Sequence, residues 1–205
     1  MVFDLVRPLG VTKGEFEMNS LMRYSHHGHF EWSPEIEYAL FDGFALELEM
    51  PFENLQLQEY KIAAQGTFGA FDNQHFIHGW QAIGYYDRHS HEYTGDLLYL
   101  NGYSTHNNWS FFNMFGIRIG QHENGIIPTG LLNNSMFYAF SERFTAGIEL
   151  NNEFNHAKRW NYLVTPQLHI DMSQNVSLQL GAGYSTLNEK HKKEWIGLWR
   201  LIYAF

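Results

Sequence analysis

The sequence predicts an all-β protein, a transmembrane antiparallel up-and-down β-barrel of about 12 strands, on three observations. Apolar and polar residues alternate with period two from about Gly14 to the end of the chain, and no stretch shows helical periodicity. The apolar parity carries Trp, Tyr or Phe in nearly every run, and aromatic residues make up 17% of the chain. The opposite parity is rich in Gly, Ser, Thr, Asn, Gln, Ala and Glu, with few lysines. Turned inward, so many large rings would overfill a small lumen, and the gentle parity lacks the Lys and Glu mixture of a water-facing surface. Turned toward lipid, the rings are at home and the gentle parity lines a lumen. A soluble lipocalin-like barrel or sandwich is the competing arrangement of the same pattern.

Bulk properties agree. A length of 205 residues suits one domain, with no linker or composition break, and no run approaches the length of an apolar membrane helix. A formal charge of -9 disfavours nucleic acid and anionic polymers as partners. The absence of cysteine is compatible with an oxidising compartment.

Residues 1–13 precede the alternation, and 14–205 form the barrel. "MVFDLVRPLG" has no charged stretch followed by an apolar core and a small-residue cleavage site, so it does not read as a signal peptide. The first strand runs to Tyr24 and turns back through "SHHGH" to Phe30. In "HFEWSPEIEYALFDGFALELEMPF", Phe30, Trp32, Pro34, Ile36, Tyr38 and Leu40 share one side; Phe44, Leu46, Leu48, Met50 and Phe52 continue it. Both sets stay on one face if Leu40 pairs with Phe44, leaving Phe41, Asp42 and Gly43 as a three-residue loop with glycine in the left-handed position. The same arithmetic places Ser141–Glu142–Arg143 between Phe140 and Phe144, and Ser173–Gln174–Asn175 between Met172 and Val176. Trp160 to Ile170 and Leu178 to Tyr184 keep their apolar residues on the outer parity of that last hairpin. Longer polar loops, "SHHGH", "ENLQLQE", "DRHSHE", "QHENG", "NNEFNHAKR" and "NEKHKKE", alternate with the tight turns. An even strand count puts both termini on the tight-turn side. The closing strand, "EWIGLWRLIYAF", sets Trp195, Trp199, Leu201, Tyr203 and Phe205 outward and Arg200 inward.

These residues resemble bacterial outer-membrane β-barrels as a class. "WRLIYAF", with Tyr203 two positions before a terminal Phe205, is similar to the signal read by the outer-membrane assembly machinery. More narrowly, "PEIEYALFDGFALELEMPF" and "VTPQLHIDMSQNVSLQLGAGY" resemble the transporter-like barrels named after the MetA pathway of phenol degradation, over about a third of the chain. That resemblance implies passage of small molecules, an outer-membrane location, tight turns on the periplasmic side and no active site. Residues 1–13 would then be a periplasmic segment or a partial plug.

Candidate site residues follow from the register. Pairing Tyr24 with Phe30 aligns Glu17, Glu37 and Glu47 in one row across three strands and Asn19, Glu35 and Glu49 in the next, with neighbouring β-carbons about 4.5–5.5 Å apart. Carboxylates that close share protons, hold cations, or are balanced by arginines on facing strands. Arg23 would face Glu31, Arg200 lies on the strand closing against the first, and Arg118 on a central strand. His26, His27, His29, His89 and His91 fall in loops at one end, where imidazoles could bind a metal, although no ligand-spacing signature accompanies them. Lys158, Arg159, Lys190, Lys192 and Lys193 sit at that end as groups for lipopolysaccharide phosphates, with Trp160 and Trp195 at the interface. Ser25 beside His26, and Ser90 between His89 and His91, are the only Ser/His adjacencies of a kind a lipid hydrolase would need. The function expected is passive movement of a small solute or cation through a polar, partly acidic lumen, without cofactor or turnover. A non-conducting anchor or binding platform with histidine-bearing loops, and a lipid hydrolase, are the alternatives.

Overall fold

The computed structural model describes residues 9–73, 75–122, 125–155, 160–187 and 193–205. Its strands are β1 (Phe16–Ser25), β2 (Phe30–Phe41), β3 (Phe44–Glu49), β4 (Phe52–Glu53), β5 (Gln56–Leu57), β6 (Glu59–Phe71), β7 (Phe76–Asp87), β8 (Tyr93–Ser104), β9 (Trp109–His122), β10 (Gly125–Ser141), β11 (Phe144–Asn155), β12 (Trp160–Asp171), β13 (Val176–Ser185) and β14 (Glu194–Ala204). Each long strand pairs antiparallel with its sequence neighbours, and β1 pairs with both β2 and β14, so the sheet closes. Twelve strands form the wall. β4 and β5 are a two-residue ribbon at the loop end: Pro51, lacking a donor, interrupts the third strand, and β4 resumes the same register with Trp32↔Phe52 and Glu31↔Glu53.

The predicted registers hold, including Tyr24↔Phe30, Glu37↔Glu47 and Ile170↔Leu178. Two turns differ from the expected three-residue loops. Phe41 pairs with Phe44 and Ser141 with Phe144, leaving Asp42–Gly43 and Glu142–Arg143 as two-residue turns, each beside a bulge. The bulge absorbs the extra residue, so inward and outward parity below the turn are unchanged. Gly43 has φ +74°, and Thr67 Cβ lies 3.2 Å from where its own Cβ would be. Gly43→Ala is expected to lower barrel stability by about 1–2 kcal/mol, the cost of a side chain in the left-handed region, read as a shift in the urea unfolding midpoint.

The apolar parity faces outward. Ile62, Leu97, Phe115, Ile148 and Leu180 are exposed in the middle of the wall. Rings gather at both rims: Tyr24, Tyr60, Tyr93, Trp160 and Trp195 at the loop end, Phe41, Phe71, Phe140, Tyr203 and Phe205 at the turn end. An apolar band between two aromatic girdles is the exterior of a transmembrane barrel. No helix among the described residues is long and apolar enough to cross a membrane; the crossing is made by strands.

Inside, the polar parity is packed rather than simply wet. Gln65, Gln81, Asn151, Thr165 and Gln167 are all buried in the lumen. The lumen also contains an apolar layer that the expectation of a polar interior did not include. Ala63, Ile83, Leu98, Leu100, Met114 and Leu131 face inward from β6 to β10 and form one cluster with Leu9. On β8 the inward residues are Asp96, Leu98 and Leu100, so the alternation there separates two partly apolar faces. Leu163, Ile196 and Leu198 form a second inward cluster on β12 and β14.

Candidate functional site

Two groups of charge line the lumen, one beside the apolar cluster, where Glu47 is the register partner of Ala63, and one at the loop end. The first is the glutamate block. Glu17↔Glu37↔Glu47 and Asn19↔Glu35↔Glu49 are the observed rows, as the sequence predicts. Glu35, Glu37, Glu47 and Glu49 are buried, and an oxygen from each of Glu35, Glu47 and Glu49 falls within 4.8 Å of the others. Counter-charge reaches the block from two sides. Arg200 on β14 places Nη2 at 3.1 and 3.0 Å from the two Glu35 oxygens, and Asn19 Nδ2 donates to Glu35 at 2.8 Å. Lys61 on β6 donates to Glu49 and sits 3.4 Å from Glu47.

Lys61 is a charged lumen residue that the sequence reading does not single out. Its signal was present: it falls on the inward parity of β6, in register with Glu49. Lys61 and Arg200 pair with Glu49, Glu47 and Glu35, so counter-charge offsets the four buried carboxylates only in part.

The second group is a vestibule at the loop end. Its lining includes Glu31, Glu49, Glu59, Asp87 and Glu92 against Arg23, Lys61 and Arg118, around a cavity of about 450 Å³. Arg118 grips Asp96, its register partner, through Nε and Nη2, both at 2.8 Å, and reaches Glu153 at 3.1 Å. Its guanidinium lies over the Tyr85 ring, 5.5 Å from the centroid. Arg23 bridges Glu31 at 3.2 Å and Glu194 at 3.4 Å, as the facing of Arg23 and Glu31 predicts. Five carboxylates against three cations leave the vestibule lining net acidic among the described residues.

Below this, the N-terminal residues enter the turn end. Leu9 and Val11 are buried, 7% and 6% exposed. Leu9 seats against Gly79, where its Cδ2 stands 2.7 Å from the position a Cβ would take. Hydrogen bonds hold the segment: Gly10 N donates to Thr67 Oγ1, Gly43 N to the Val11 carbonyl, and Lys13 N to Asp42 Oδ1.

The loop histidines are not brought together. His26 stacks on His27, centroids 3.7 Å apart, and its Nδ1 accepts from the Trp195 amide; His29 Nδ1 lies 2.9 Å from Glu53. His91 Nδ1 bonds the Tyr86 hydroxyl. Among the described residues, none of His26, His27, His29, His89 and His91 belongs to a group of three metal-ligating atoms. Ser25 Oγ accepts the His27 amide rather than meeting an imidazole, so the Ser/His adjacency makes no nucleophile pair. Lys158, Arg159, Lys190 and Lys192 lie outside the described residues.

Solved structures share this fold. The NanC porin matches with TM-score 0.71 at 10% identity, over 92% of this chain and 98% of its own. The KdgM porin matches with TM-score 0.74 at 12% identity, over 92% and 99%. The COG4313 outer membrane channel from Pseudomonas putida F1 matches with TM-score 0.72 at 12% identity, over 98% and 100%. The fold is that of the outer-membrane porins. No family model matches the sequence, and no curated protein does. At these identities the likeness concerns the backbone, so the porin-like barrel carries here its own charges: a glutamate block closed by Lys61 and Arg200, and an acidic vestibule above an apolar floor.

Proposed function

We propose that this protein is a passive channel of the bacterial outer membrane for a small cationic or zwitterionic solute. The observation that carries the reading is the vestibule, a charged cavity inside a closed barrel whose outside is apolar. Its excess of carboxylates concentrates cations at the mouth, and low-dielectric walls strengthen that bias. Arg118 and Arg23, each already held by carboxylates, add fixed positive points for the anionic end of a zwitterion. The KdgM porin has been solved in complex with oligogalacturonate; an acidic lining suits such a polyanion poorly, so this chain is read as serving a different solute class. The reading keeps the kinship with the MetA-pathway-of-phenol-degradation-like transporters, which rests on the two hairpin stretches quoted above, and it has no catalytic step. Residues 9–13 act as a partial plug beneath the apolar floor. Outer-membrane lipid and lipopolysaccharide surround the girdles, and the assembly machinery reads Tyr203 and Phe205 at the β1–β14 seam, where Phe205 N donates to the Phe16 carbonyl.

The test is single-channel conductance in a planar bilayer, with reversal potential under a salt gradient. The parent is expected to pass cations in preference to anions, and a Glu59→Gln, Glu92→Gln variant to lose part of that preference while remaining folded. A barrel that stays silent both full-length and lacking its N-terminal segment would overturn the channel reading and favour the anchor.

A further inference from the structure

Three asparagines occupy the lipid-facing parity in one row. Asn101 on β8, Asn113 on β9 and Asn134 on β10 are register partners in adjacent strands. They point outward with the apolar set: their strand neighbours on that face include Tyr99, Phe115, Leu132 and Met136, and Phe115, Leu132 and Met136 are exposed. Asn113 lies four residues above Trp109 at the turn-end girdle, and six below Ile119 near the other rim, which sets the row inside the apolar band.

Elsewhere on the outward face, polar side chains are satisfied locally. Trp32 Nε1 donates to Ser20 Oγ, His78 Nδ1 bonds the Tyr99 hydroxyl, and Asn152 both donates to the Leu132 carbonyl and accepts from Trp160 Nε1. The row is different. Asn113 Nδ2 donates to Asn101 Oδ1 at 3.0 Å, which leaves a second amide proton on Asn113, the whole amino group of Asn101 and the Asn113 oxygen. Asn134 makes no side-chain hydrogen bond among the described residues. In hydrocarbon such groups have no partner, and polar groups there are kept only where protein or water satisfies them.

We infer that the β8–β10 face is the contact surface of a homodimer, centred on Asn113. A primary amide carries both donors and an acceptor, so a row of amides is complementary to a copy of itself, whereas an acyl chain offers it nothing. A two-fold axis along the membrane normal brings Asn113 against its own copy, flanked by Asn101 and Asn134 of both chains, the isologous arrangement in which one patch serves both sides. The apolar residues around the row then pack as the dry surround of a polar centre. The inference is independent of the channel reading.

Disulfide trapping tests it directly, because the chain has no cysteine of its own. In membranes, Asn113→Cys is expected to form a covalent dimer under a mild oxidant, while Met18→Cys, exposed on β1 across the barrel, stays monomeric. Native mass spectrometry from mild detergent is expected to give twice the chain mass for the parent. It should give the single-chain mass for the Asn101→Leu, Asn113→Leu, Asn134→Leu variant, with heat-modifiable migration on gels showing that this barrel is folded. A monomeric parent, equal trapping at positions 113 and 18, or a dimer that survives all three leucines would overturn the inference; a monomer retaining bound lipid at this face would assign the row to lipid headgroup or glycerol contacts.

Discussion

A chain shortened to begin at Thr12 is expected to conduct several-fold more than the full chain, with little change in ion preference. The shortened chain loses Leu9, which completes the apolar cluster of Leu98, Leu100, Met114 and Leu131, and Val11, which packs on Ala39 and Ala45 at the turn end. It also loses the bonds from Gly10 to Thr67 and from Gly43 to Val11. None of these holds one barrel strand to another, so the wall keeps its ladder while the path beneath the vestibule widens. Selectivity is set above, by residues the truncation leaves in place. Bilayer recording of both proteins checks this, and unchanged step size would show that residues 9–11 are a packing element of the wall and not a barrier. Leu9→Asn offers a milder version: a polar side chain among leucines weakens the seat while the backbone is retained.

Arg200→Met is expected to destabilise the barrel by about 3–5 kcal/mol, because it strands a buried carboxylate. Glu35 is 7% exposed, and Glu47 and Glu49 stand beside it. With the guanidinium gone, Asn19 still donates to Glu35, and Lys61 still pairs with Glu49 and Glu47. The double substitution Arg200→Met, Glu35→Leu should recover most of the loss, since replacing a buried pair together by apolar residues of similar volume is often neutral or stabilising. Urea unfolding of the barrel in lipid vesicles measures all three proteins. If the double variant is no more stable than Arg200→Met alone, Arg200 matters for packing rather than for charge.

Much of this molecule was legible in its sequence, and for a single reason. The side-chain period of a strand is two, so parity assigns each residue to lipid or lumen, and a tight turn fixes which residues face each other across a hairpin. Glu35 against Glu49, Glu37 against Glu47 and Arg23 against Glu31 follow from that arithmetic. The two-residue turns at Asp42–Gly43 and Glu142–Arg143 were not legible, because a bulge one residue away preserves the same parity and leaves no trace in the pattern.

By itself the sequence determined the closed antiparallel barrel, its apolar outside, the rows of facing residues and the acidic character of the first strands, all consequences of local alternation. Only the tertiary structure decided what meets across the lumen. Arg200 reaches past β1 to Glu35 on β2, Arg118 joins Asp96 to Glu153 two strands away, and Leu9 enters from the turn end to seat against Gly79. Those contacts depend on the curvature of the closed wall and on how far each side chain extends across it, quantities that periodicity along a strand does not contain.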